Sequence, residues 1–96
     1  MPDQPAESAL NFTAFVLSLA STAAIHFGDL PDPMTGERAE LNLEGAAQMI
    51  EILMLLETKT KGNLTIEERQ VLEQILYELR LRFVEASGQK PRIITP

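Results

Sequence analysis

The chain contains no cysteine, which removes disulfides, thiolate metal sites and a cysteine nucleophile together. It has no Lys or Arg before Arg38, so Met1-Pro2-Asp3 lacks the basic start of a signal peptide and a cytoplasmic location is expected. Basic residues are scarce throughout: 8 Lys and Arg stand against 14 Asp and Glu, for a formal net charge of -6. Affinity for nucleic acid or anionic lipid rests on clustered Lys and Arg, so neither is an expected partner. There is no internal repeat and no low-complexity run. The most telling absence is local, because from Ser8 to Gly28 no residue is charged, with His26 counted as neutral.

What is present is an ordinary globular composition, 45% hydrophobic and 23% charged over 96 residues. That is one domain, and a domain of this size buries roughly 60 to 65% of its unfolded surface, so its core is modest. Proline-bearing polar stretches at both ends predict tails over residues 1–10 and 88–96, flanking a helical domain over 11–87.

Within that domain three segments carry helical period. The first is predicted from Phe12 to Phe27, with Asn11 as N-cap, a Leu10–Phe15 hydrophobic staple, Gly28 as left-handed cap and His26 in the last turn. A turn-rich loop holding Pro31 and Pro33 follows. The second helix is predicted to begin near Asn42 and to run through Leu56 to Lys61, with Lys59 and Lys61 in its last turn and Gly62 as its cap. The third opens at Thr65-Ile66-Glu67-Glu68, a capping box in which the Thr65 hydroxyl and the Glu68 carboxylate each accept an orphan backbone amide.

The helix faces set the expected architecture. In the third helix Leu72, Ile75, Leu76, Leu79, Phe83 and Ala86 form one stripe at spacings of three and four. Glu78 and Arg82, four apart with the acid first, predict a surface ion pair of roughly 0.3 to 0.5 kcal/mol. The second helix has Leu43, Ala46, Ala47, Ile50, Leu53 and Met54 on one stripe and Met49, Ile52 and Leu56 beside it, with Leu55 interrupting its polar side. The first helix has no side made for water. Phe12, Phe15, Val16, Leu19 and Ala23 form one row, Leu17, Ala20, Ala24 and Phe27 another, and Ala14, Ser18 and Ser21 a row of small residues.

A helix that is apolar all round is normally enclosed, whereas two partner helices cover only about half its circumference. A membrane span does not fit, since sixteen residues rise about 24 Å against a hydrocarbon thickness near 30 Å, and basic anchors are missing. A helix lying in the membrane surface would want a basic polar face, also missing. Self-association fits best. Phe12, Ala14, Phe15, Ser18, Leu19, Ser21, Met49 and Ile52 are the expected oligomer interface, with a dimer as the first expectation. The alternative is an apolar ligand or lipid held between helices, with Phe12, Phe15, Leu19 and Met49 as walls.

Four separated runs resemble one family: Asn11 to Ser21, Gly28 to Pro33 with Thr35-Gly36-Glu37, Thr58 to Thr65, and Leu76 to Val84. Together they are similar to the bacterial domain of unknown function DUF1844 over roughly Phe12 to Glu85. The resemblance implies a short bacterial, cytoplasmic protein and supplies no reaction, cofactor or catalytic residue. Met34 departs from a loop that is more acidic in the family.

The residues themselves offer little chemistry. His26, Asp29, Asp32 and Glu37 gather near one helix end, but a lone His there is explained as a dipole partner and the acids as loop solubility, so no metal is expected. Glu67 and Glu68 are explained by capping. Ser18 and His26 are eight positions apart, about 12 Å along a helix, and Ser21 and His26 are five apart, a poor match for one face, so serine catalysis is not expected. The turn Lys59 to Asn63 lacks P-loop spacing. Tyr77, Arg80 and Arg82, with Leu81, lie largely off the third helix's core stripe and form a candidate docking surface. The expectation is an all-α, three-helix chain, a hairpin of helices two and three with the apolar first helix against it or against a neighbouring subunit, packed as an oligomeric helical bundle. Its expected role is that of a non-enzymatic interaction or scaffold protein without cofactor.

Overall fold

A computed structural model describes residues 11–88. The expected N-terminal tail, all of the C-terminal one except Gly88, and Leu10 of the Leu10–Phe15 staple lie outside the described residues. Three helices follow in order: α1 (Phe12–Phe27), α2 (Leu43–Lys59) and α3 (Ile66–Ala86). Among the described residues the only extended pairing is an isolated antiparallel bridge, Pro31 with Arg38, inside the α1–α2 connection.

Local chemistry sets the ends. The Asn11 side chain accepts from the Ala14 amide at 2.8 Å and opens α1. Gly28, at φ 83°, closes it with its amide turned to Ile25 O, and a left-handed backbone of this kind favours glycine. Asn42 caps α2 in the same manner as Asn11 caps α1, its side chain accepting from Gly45 N at 2.9 Å. The α3 box is complete: Thr65 Oγ1 accepts from Glu68 N at 3.0 Å, and Glu68 Oε1 accepts from Thr65 N at 2.9 Å.

The end of α2 differs from expectation. The helix stops at Lys59, so Lys61 is not in its last turn and Gly62 is not its cap. The Thr60 amide and hydroxyl both donate to Leu56 O, at 2.9 and 2.7 Å, and saturate it. Asn63 N then closes a turn onto Thr60 O at 2.8 Å, and Gly62, at φ 85°, sits inside that turn.

Each helix contributes three residues to one core: Val16, Ala23 and Phe27 from α1, Ala46, Ile50 and Leu53 from α2, and Leu72, Leu76 and Leu79 from α3. Val16, Leu53 and Leu72 are wholly buried, each such side chain contributing about 1.5 to 3 kcal/mol of transfer free energy. The α3 stripe is as predicted, with Ile75, Phe83 and Ala86 packed around the buried three. α1 lies against both other helices of its own chain. No polar or charged residue is buried among those described.

The α1–α2 connection is pinned. Asn42 N donates to His26 O at 2.7 Å, Asp29 N donates to Ala24 O at 2.9 Å, and Thr35 N and Gly36 N both donate to Asp32 O. Met34 N adds a bond to Asp32 Oδ1 at 2.9 Å.

Candidate interaction surfaces

The outward side of α1 carries the small-residue row. Ser18 and Ser21 are exposed and Ala14 is half-buried. Ser18 Oγ donates to Phe15 O at 2.8 Å and Thr22 Oγ1 donates to Ser18 O at 3.1 Å, so these hydroxyls are spent on their own helix. Helical spacing places Phe15 on one side of this row and Leu17 on the other. They are 41% and 46% exposed. Phe12, Leu19 and Met49 instead pack half-buried against the core, and Ile52 is half-buried on α2. The eight residues expected at an oligomer interface therefore divide: Phe15, Ser18 and Ser21 are exposed, Ala14 and Ile52 are half-buried, and Phe12, Leu19 and Met49 pack against the core. The contact between His26 and Asn42 joins the end of α1 to the start of α2. On α2, Leu55 is 57% exposed.

On α3 the docking candidates also divide. Tyr77 is 63% exposed and Arg80 is exposed, and Leu81 and Val84 extend the same side at 49% and 43%. Val84 has no place in the expected surface, although its spacing of seven from Tyr77 puts it there. Arg82 is turned the other way. Its Nε donates to Asp29 Oδ2 at 2.7 Å and its Nη2 to Asp29 Oδ1 at 2.8 Å, and the guanidinium lies 5.3 Å from the Phe27 ring centroid. The hydrogen bond from Arg82 is the main influence holding the Asp29 carboxyl below its ordinary value.

The predicted Glu78–Arg82 pair does not form. Glu78 Oε2 accepts from Gln74 Nε2 at 2.6 Å, while the flat guanidinium takes a two-point carboxylate match and an aromatic face together. Glu85 Oε1, at 3.9 Å from Arg82 Nη1, is a weaker neighbour.

An apolar groove of about 290 Å³ lies between α2 and α3, walled by Ala47, Ile50, Phe83 and Val84 with Glu51 and Arg80 at its rim. It is not where a ligand wall of Phe12, Phe15, Leu19 and Met49 was expected. Beside the α2–α3 turn a larger recess mixes Lys61 and Arg69 with Glu57 and Glu73. Among the described residues no three His, Cys, Asp or Glu come together to hold an ion: His26 sits 3.4 Å from Asn42 Nδ2, and Asp29 is engaged by Arg82. Among the described residues no helix is long and apolar enough to cross a membrane.

The family described as Domain of unknown function (DUF1844) matches residues 9–85, and the chain belongs to it. No curated protein and no solved structure matches the chain. Membership accounts for the four resembling runs and for nearly the whole described bundle, and the family's description names no reaction.

Proposed function

We propose that this chain is a non-enzymatic interaction or scaffold protein of the bacterial cytoplasm that works as a homo-oligomer, a dimer first of all. One observation supports this above the others: α1 touches both companion helices and still leaves Phe15 and Leu17 exposed beside a row of small residues. Paired apolar flanks around small side chains let two backbones approach closely and bury area that one chain leaves wet. Tyr77 and Arg80 form the second candidate surface, whereas Arg82 serves the fold through Asp29.

Light scattering on the eluting protein at micromolar concentration tests the reading. The wild type should run as a dimer or larger, and Phe15→Glu or Ser18→Arg should yield a smaller species of unchanged helicity. A monomeric wild type would sink it. The groove between α2 and α3 supports a second reading, carriage of a small apolar molecule. Native mass spectrometry separates the two, because a co-purified ligand supports carriage and bare oligomers oppose it.

A further inference from the structure

The outward side of α3 is a seam. Tyr77, Leu81 and Val84 recur at spacings of four and three, all exposed, and Gln70 and Gln74 continue the line toward the N-terminus, both exposed. On one flank of the seam stand Glu78 and Glu85, and on the other Glu73 and Arg80, all exposed. Apolar residues at this period with charged flanks are the pattern of a helix that pairs with another helix. We propose that the occupant of this seam is a second copy of α3, running parallel about a two-fold axis. The inference rests on the reading of the chain as self-associating, and is independent of the α1 surface.

The flanking charges choose the direction. An antiparallel pair that overlays Tyr77, Leu81 and Val84 on one another sets like flanks together, Arg80 against Arg80 and Glu78 against Glu85 of the second copy. A parallel pair sets opposite flanks together, with Arg80 against Glu85 of the second copy, five residues on, twice by symmetry. Glu73 against Glu78 of the second copy is the like-charged pair that this arrangement accepts. Every juxtaposition is repulsive in the antiparallel alternative, and attraction offsets repulsion in the parallel one, so parallel pairing is favoured. Arg82, the other guanidinium of this region, is excluded from the seam by its bond to Asp29.

Parallel pairing places each seam residue beside its own counterpart, and this is what the experiment reads. In the full chain, which has no native cysteine, Gln70→Cys and Val84→Cys are made separately and oxidised at micromolar concentration. Both should give disulfide-linked dimers, since each brings two Cβ atoms together across the axis. Only a parallel, in-register pair does this at positions about 21 Å apart on one helix. Cross-linking at neither position, or at one alone, overturns the proposal. Leu81→Glu should yield a smaller species at unchanged helicity, and Arg80→Glu should raise the Kd of the α3 pairing about tenfold, with Arg80→Glu plus Glu85→Arg restoring it. A dimer that survives Leu81→Glu and dissociates with Phe15→Glu overturns this inference and leaves the α1 reading standing. A monomeric wild type overturns both.

Discussion

Asp29 and Arg82, 53 residues apart in sequence, meet fork to carboxylate at 2.7 and 2.8 Å and tie the exit of α1 to the last turns of α3. Both side chains are partly open to water, at 43% and 35% exposed, so the pair is a modest stabiliser. Its acid dependence has a definite sign. The folded carboxyl titrates below its ordinary value of 3.8. Its contribution is therefore present in full above that value and is lost as pH falls through the folded one. Asp29→Asn should lower stability by about 0.5 to 1 kcal/mol near neutrality. Thermal unfolding followed by circular dichroism should show the gap from wild type closing once the pH drops below 3.8. A gap that persists in acid would count against the pairing.

Gly45 lies in the first turn of α2, where alanine ordinarily gains about 1 kcal/mol. Here an added Cβ would stand 2.7 Å from both Asn42 Nδ2 and His26 Nδ1. Gly45→Ala should therefore lower the melting temperature, because the Asn42 cap and the His26 ring must both be displaced. A rise in melting temperature would show that the two side chains yield without loss.

Thr65→Ala removes half of the α3 box and should cost about 1 kcal/mol. Hydrogen exchange should quicken at the first amides of α3 and leave α1 unchanged. Thr65→Ser, which keeps the hydroxyl, should retain most of the protection.

Leu53 and Leu55 are near neighbours on α2 with opposite fates, one wholly buried and the other 57% exposed. Leu53→Ala should cost about 2 to 5 kcal/mol, enough to unfold a domain this small. At concentrations where the chain is monomeric, Leu55→Ala should stay within about 0.5 kcal/mol of wild type. Equal losses at the two sites would mean that α2 is rotated from its described orientation.

Cap chemistry and one-sided periodicity are local, and they made most of the fold readable. Asn11, Gly28, Asn42 and the Thr65–Glu68 box each act within a few residues, and the α3 stripe repeats along a single helix. The end of α2 was less readable, since Lys61 and Gly62 look like stop signals and Thr60 acts first by saturating Leu56 O. Arg82 was misread for a related reason: Glu78 is the nearer acid in sequence, whereas Asp29 comes from the end of another element. α1 hid its orientation because apolar residues on all sides give no direction, and only packing decided that Val16 and Ala23 face in while Phe15 and Leu17 face out. Tyr77 and Arg80 were legible as lying off the core stripe. The continuation of their side through Val84 could have been found by the same spacing.

The stretch joining α1 to α2 is riveted to the bundle: Asn42 holds His26, Asp29 holds Ala24 and Arg82, and Asp32 folds the middle upon itself. A first helix traded between copies would have to shed those fastenings and its share of the core together. Swapping is thereby coupled to wholesale opening, and two isotopically distinct preparations, once mixed, should scramble α1 no faster than the folded domain as a whole comes apart.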